Sequence, residues 1–196
     1  MGVAKTKAAD SRDIQADLRR RGRRARAELT PRYRAEASER IVDSVIRSGW
    51  FRRARLLACY LSVADEVETW ALIERAWRMK KRIFVPVTKK NSRMLFREIT
   101  PETMLERSRF GLLEPRDGMT IAPRRLDVVI TPVVVYDEFR HRIGMGGGYF
   151  DRTFAFLRHR RDYWRPKLVG LAYACQKVEK IPANPWDIRV FEIVSE

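Results

Sequence analysis

The sequence predicts an α/β fold: a mostly parallel sheet with helices on both faces, in a single domain that opens with an N-terminal helical pair. Two observations carry this. Short apolar runs alternate along the chain with segments whose apolar residues recur at helical spacing, and strands alternating with helices build a largely parallel sheet covered on both sides. The length of 196 residues and the 45% apolar share suit one compact core and are short for two.

Residues 1–10 read as a flexible basic tail and 11–196 as the domain. Asp10 or Ser11 can cap a first helix reaching about Leu29. Thr30 and Pro31 then restart the chain, with Thr at the N-cap and Pro at the first helical position. Tyr33, Ala37, Ile41 and Val45, with Val42 and Ile46, form the apolar stripe of this second helix, and Gly49 is expected to end it. Residues 55–62 (RLLACYLS) read as a buried strand, and 69–81 as a helix with Trp70, Ile73, Ala76 and Trp77 on one side. Strands follow at 82–87 and 94–99, and a helical turn at Thr100-Pro101. The strongest strand is 126–135 (LDVVITPVVV). A helix at 149–159 and strands at 168–174 and 190–194 complete the chain. Ligands of such folds sit beyond the carboxyl ends of the strands, so the loop after Val135 is the first place to look for chemistry.

Charge narrows the partners. Lys and Arg total 41 against 25 acids, a formal net charge of +16, which attracts nucleic acid, nucleotides, anionic lipid or a polycarboxylate substrate. Residues 1–55 hold sixteen of the basic residues and seven acids. Cys59 and Cys175 each lie in an apolar segment, outside any CxxC pair. Buried free thiols and a reducing compartment are therefore expected. No apolar run approaches the ~18 residues of a membrane span, and the N-terminus lacks the apolar core of a signal peptide. A cytoplasmic location is expected.

The segment 142–152 (RIGMGGGYFDR) holds four glycines in five positions, Gly144, Gly146, Gly147 and Gly148 flanking Met145. Glycines let successive backbone N–H groups approach one anion, and the helix that follows would add its dipole. Arg142 and Arg152 flank the loop, and Asp151 is placed to hold a metal. No Gly-Lys-Ser/Thr follows, and a GxGxxG pattern would need glycine at Tyr149, so neither familiar nucleotide motif applies. Glycines alone leave a plain surface turn open. Strand, loop, helix and arginines together favour phosphate.

Gly-Met-Gly-Gly-Gly-Tyr-Phe-Asp-Arg, preceded by Tyr136-Asp137 and Arg142, resembles the signature of the 5-formyltetrahydrofolate cyclo-ligase family (5,10-methenyltetrahydrofolate synthetases). Leu61-Ser62 before Asp65-Glu66-Val67-Glu68-Thr69, Gly111 to Pro115, Gly170-Leu171-Ala172-Tyr173 with Gln176, Ile181-Pro182 and Trp186-Asp187 agree in order and spacing. The resemblance covers about residues 12–196. It implies an ATP- and Mg²⁺-dependent enzyme that phosphorylates the formyl oxygen of 5-formyltetrahydrofolate, after which N10 closes the methenyl bridge and phosphate leaves. Such chemistry asks the protein for alignment and charge neutralisation. It needs no side-chain nucleophile, and the only histidines, His141 and His159, are expected on solvated surface.

Carried over by position, the resemblance assigns Gln15, Arg19, Arg142, Ile143, Gly144, Met145, Gly146, Gly147, Gly148, Tyr149 and Phe150 to ATP. It assigns Leu61, Glu66 and Met145 through Tyr149 to the folate, and Asp151 and Asp187 to Mg²⁺. Arg142, Tyr149 and Asp151 are the expected catalytic groups. Glu66 suits a pterin, whose amino and ring N–H groups are donors; taken alone it would read as a helix-capping acid before Thr69.

Several positions depart from the family pattern. Gln15 stands where Lys is usual, Phe150 where a second Tyr is usual, Arg140 replaces a turn glycine, and Phe191 and Ser195 replace an acid and a Thr. The Gln15 and Phe150 changes keep open a non-catalytic folate- or nucleotide-binding paralogue. The charge keeps open a nucleic-acid-binding protein, although no recognition motif accompanies it, and only non-specific, salt-sensitive binding is expected. A monomer acting on a folate, including folates with poly-glutamate tails, is the expected form.

Overall fold

The computed structural model describes residues 2–88, 94–108, 111–159 and 165–196. α1 (Gly2–Ala27) starts at Gly2, because the Ala- and Lys-containing stretch expected as a tail is itself a good helix former. Ser11 therefore lies inside the helix instead of capping it. Its hydroxyl donates to Asn184 Oδ1 at 2.7 Å. α2 (Pro31–Arg47) begins as expected: Thr30 Oγ1 accepts from Tyr33 N at 3.2 Å, with Pro31 in the first turn. Ala37, Ile41, Val42 and Val45 are buried, whereas Tyr33 is exposed. The helix stops one residue before Gly49, at Ser48, whose hydroxyl caps α3 (Gly49–Arg53) by accepting from Phe51 N.

Seven strands form the main sheet: β1 (Leu56–Ala58), β2 (Arg82–Thr88), β3 (Met94–Ile99), β6 (Thr120–Ile121), β7 (Val128–Pro132), β10 (Lys167–Leu171) and β11 (Glu192–Val194). Their order is β11-β10-β7-β1-β2-β3-β6. The first five are parallel, and β3 and β6 extend the sheet antiparallel beyond β2. Two antiparallel pairs stand apart: β4 (Leu105–Arg107) with β5 (Leu113–Pro115), and β8 (Val135–Tyr136) with β9 (Arg142–Ile143).

The run 126–135 is thus two strands, not one. Pro132 lacks the N–H that would continue the ladder. Gln176 Nε2 donates to the carbonyls of Val133 and Val134 at 2.7 and 3.0 Å, so the chain leaves the sheet there with its polar groups satisfied. The helix expected at 149–159 divides likewise into α5 (Tyr149–Thr153) and a 3₁₀ turn (Ala155–His159). This bend sets Phe150 and Phe156 each 6.1 Å from Phe154, itself 5.8 Å from Phe96. The turn at Thr100-Pro101 stays a turn.

Alternate strand residues supply two cores. Leu57, Ile83, Val85, Val128, Ile130 and Val169 pack beneath Ile41 and Val45 of α2 and Leu72, Ile73 and Ala76 of α4 (Trp70–Arg78). Ala58, Phe84, Phe96, Val129 and Leu168 pack on the other face with Phe154, Ile188 and Val190. The two N-terminal helices pack in different places: α2 on the sheet, α1 against β8 and the turn Ala174–Gln176. Cys59 is buried as expected, but Cys175 is exposed. A tight turn of three residues points Gln176 inward and leaves Cys175 outside. No helix among the described residues is long and apolar enough to cross a membrane.

Candidate functional site

From β1 the chain moves outward through β2 and β3 on one side, then returns to β7 beside β1 and continues to β10 and β11 on the other. The crevice at such a reversal, beyond the carboxyl ends of the strands, is where these folds bind ligands. A cavity of about 730 Å³ opens there, lined by Tyr60 and Leu61 after β1, by Val85, Pro86 and Thr88 of β2, and by Pro132 at the end of β7. Every residue assigned from the sequence lines it: Gln15, Arg19, Leu61, Glu66, the whole stretch 142–151, and Asp187. A shallower cleft of about 400 Å³ lies away from this edge, between α4 and the turn before β4. Its charged pair, Glu74 and Arg78, is mutually satisfied.

The β8–β9 hairpin presents the glycine loop. Its turn places Arg140 at φ +66°, so the non-glycine residue itself adopts the left-handed conformation and the turn keeps its shape. Gly146 (φ +102°) and Gly148 (φ +62°) take backbone conformations closed to most side chains, which lets the loop fold between β9 and α5. With five residues, α5 supplies little of the dipole expected of it. Side chains provide the positive potential instead. Arg142 has a side chain only 3% exposed, its guanidinium over the Phe150 ring at 5.1 Å, and its Nη2 3.7 Å from Asp151 Oδ1. Its Nε and Nη2 make no hydrogen bond among the described residues. Arg152 donates to Gly147 O and sits over Tyr149.

α1 holds the loop from outside. Arg19 Nε donates to Gly144 O at 2.9 Å and Arg23 Nη2 to Met145 O at 3.3 Å. Burial, with Arg23 nearby, pushes the Arg19 guanidinium below its ordinary pKa. Gln15 Nε2 donates to Pro182 O at 2.8 Å and to Asp187 Oδ2 at 3.1 Å. At this position a neutral donor therefore orients an acid.

The two expected metal acids lie on adjoining segments at the cavity. Asp151 Oδ1 accepts from Ile188 N at 3.3 Å, which sets Asp187 one residue away. Asp187 Oδ2 takes its bonds from Asn184 N, Asn184 Nδ2 and Gln15. The second oxygen of each carboxylate is left without a hydrogen bond among the described residues. The described residues contain no group of three or more His, Cys, Asp or Glu suited to a metal. Two carboxylates are the set Mg²⁺ favours when phosphate oxygens and water complete its shell.

On the opposite side, Glu66 lies in the loop between β1 and α4. Burial raises its carboxyl above the usual range, opposed by the Val63 amide, which donates to Oε2 at 3.2 Å, and by Arg26. The helix-capping role belongs to Glu68, whose Oε1 accepts from Thr69 N and Trp70 N at 2.7 and 2.8 Å. Glu66 is thereby left to the cavity.

Sequence reasoning missed a supporting network. His141 is half-buried, not solvated. Its Nδ1 lies 3.0 Å from Asp137 Oδ2, and its Nε2 accepts from Arg189 Nε at 3.0 Å. Asp137, fully buried, also accepts from the amides of His141 and Ile181. The network ties the hairpin bearing Arg142 to the segment bearing Asp187. The four-residue spacing of Asp137 and His141 was its only local signal. Arg158 and Trp186 also line the cavity, without a local signal for that role.

A model of the 5-formyltetrahydrofolate cyclo-ligase family matches residues 11–196. The chain is 36% identical over 177 residues to the Escherichia coli K12 protein named 5-formyltetrahydrofolate cyclo-ligase, covering 88% of this chain and 95% of the relative. It is 34% identical over 179 residues to the Haemophilus influenzae protein of the same name, covering 88% and 92%. Among solved structures, the Aquifex aeolicus 5,10-methenyltetrahydrofolate synthetase superposes with a TM-score of 0.78 at 26% identity, covering 92% of this chain and 89% of that one.

Proposed function

The chain belongs to the 5-formyltetrahydrofolate cyclo-ligase family and is a ligase, and from that premise we propose that it converts 5-formyltetrahydrofolate to 5,10-methenyltetrahydrofolate with cleavage of ATP to ADP and phosphate. The observation that carries the reading is Arg142: a buried guanidinium with two unbonded nitrogens, beside a four-glycine loop, in one cavity with Glu66. A buried cation short of hydrogen bonds, with Asp151 no closer than 3.7 Å, is costly unless a further anion meets it.

The formyl oxygen attacks the γ-phosphorus of ATP, and ADP departs. The N10 lone pair then adds to the activated carbon. The C–O bond breaks, phosphate leaves with that electron pair, and N10 loses its proton to solvent. Ile143 and the loop through Phe150 wrap the phosphates. Arg142 neutralises charge on the transferred group, where preorganised donors contribute most, and Tyr149 bounds the loop towards both substrates. Arg19 stiffens the loop at Gly144 and adds charge near the nucleotide. Leu61 packs on the folate, while Glu66 accepts from pterin N–H groups. Asp151 and Asp187 would hold Mg²⁺, which supplies further neutralisation of the triphosphate when bound. A cytoplasmic monomer is the form in which the chain is proposed to work.

The test is incubation with 5-formyltetrahydrofolate and Mg-ATP, following methenyl product and ADP. Equal amounts of both, formed only with ATP, support the proposal. Binding of both substrates without product would replace it with a non-catalytic binder, the reading that Gln15 and Phe150 favour.

A further inference from the structure

Arg26 shares one face of α1 with Gln15, Arg19 and Gly22, at successive spacings of four, three and four residues. Eleven residues of helix span about 16 Å, so this face reaches from Asp187 to the folate side of the cavity. There Arg26 Nη2 pairs with Asp65 at 3.0 Å. Its side chain is only 6% exposed, and its Nε is buried without a hydrogen-bond partner. Glu66 follows Asp65 directly. Among the described residues, the titratable or charged groups facing Glu66 are Arg26 from α1, Asp65 from its own loop, Tyr60 at the exit of β1, and Tyr173 after β10, whose hydroxyl donates to Glu66 O at 3.2 Å. Arg26 is the cation among them, and the chemistry proposed above makes no use of it.

We propose that Arg26 is a positioning residue for the folate half of the site: it holds Asp65, seats the loop 61–69 against α1, and so sets Glu66 where it lines the cavity. The assignment rests on the functional reading above. Its sign is definite. Burial raises the Glu66 carboxyl and Arg26 opposes that rise, so without Arg26 the carboxylate is lost at a higher pH as the solution is acidified. Asp65 acts in the opposite sense, and its neutralisation moves that limit the other way.

The experiment is equilibrium titration of 5-formyltetrahydrofolate into the full chain, without ATP, across the acid and neutral pH range, with melting checked for each variant. R26M is expected to weaken folate binding by about tenfold or more, the loss typical of a buried charged hydrogen bond, and to move the acid limb to higher pH. R26K retains the charge and should keep the limb in place while binding more weakly. D65N keeps an oxygen that can accept from Arg26 and leaves no unpaired carboxylate, so it carries the test should R26M fail to fold. It is expected to weaken binding several-fold with the limb at or below that of the wild type. Wild-type affinity in R26M or D65N, or an acid limb in R26M coincident with the wild type, overturns the assignment alone. A wild-type chain that does not bind 5-formyltetrahydrofolate overturns it together with the functional proposal.

Discussion

Gly22→Ala is expected to weaken nucleotide binding from a position that does not line the cavity. In an exposed helix interior this change stabilises by about 1 kcal/mol. Here the new Cβ would lie 2.5 Å from Val135 Cγ2 and 2.6 Å from Val134 O. Non-bonded carbons rest at about 3.5–4.0 Å, so α1 must retreat by roughly 1 Å. The segment entering β8 cannot give way easily: Val134 N is bonded to Ile143 O and Val134 O to Gln176 Nε2. Overpacking of this kind costs about 1–3 kcal/mol, which cancels or exceeds the helical gain. The same retreat stretches the 2.9 Å bond from Arg19 Nε to Gly144 O beyond useful length, at about 1.5–3 kcal/mol for a charged donor. ATP affinity should therefore fall about 10- to 100-fold with a melting temperature equal to or below that of the wild type. Titration of Mg-ATP alongside thermal melting measures both. A G22A protein that melts higher and binds ATP as the wild type does would refute the close approach of α1 and the role given to Arg19.

R142M removes a buried, incompletely bonded cation; it should lower kcat about 10²–10³-fold while leaving the melting temperature unchanged or raised, and a large loss of stability would contradict the site reading. E66Q should raise the melting temperature at neutral pH, because burial raises the Glu66 carboxyl and the folded state favours its neutral form; that gain should vanish as pH falls through the usual carboxylate range, and folate binding should weaken. Chelation of divalent cations should abolish turnover reversibly with circular dichroism unchanged, and D187N should raise the Mg²⁺ concentration needed for half-maximal rate; activity in excess chelator would remove the metal role of Asp151 and Asp187. Folates with longer glutamate tails should bind more tightly, with the gain fading in salt, given the net charge of +16; affinity independent of tail length would remove that idea.

The glycine loop was legible because its determinants are local: four glycines, two arginines and an acid lie within eleven residues, and backbone freedom there is a property of the residues themselves. The parallel sheet was legible for a similar reason, since periodicity is written into each segment. Strand ends were less so. Nothing local in 126–135 announces that Gln176, more than forty residues on, will satisfy Val133 and Val134 and let the strand break. Glu66 and Glu68 are indistinguishable in composition, and only the hydrogen bonds of α4 show which of them is the cap.

By itself, then, the sequence determined the order of helices and strands, the glycine- and arginine-rich character of 142–152 and, through the family motif, the proposed roster of residues around it. Tertiary structure alone decided that Arg19 meets Gly144, that Gln15 meets Asp187, that Asp151 stands beside the segment carrying Asp187, and that Arg26 meets Asp65. The physical reason is distance along the chain. Backbone preference acts over a few residues, whereas these pairings close gaps of roughly 40 to 170 positions, and whether they form depends on how α1 and the hairpin pack against the sheet.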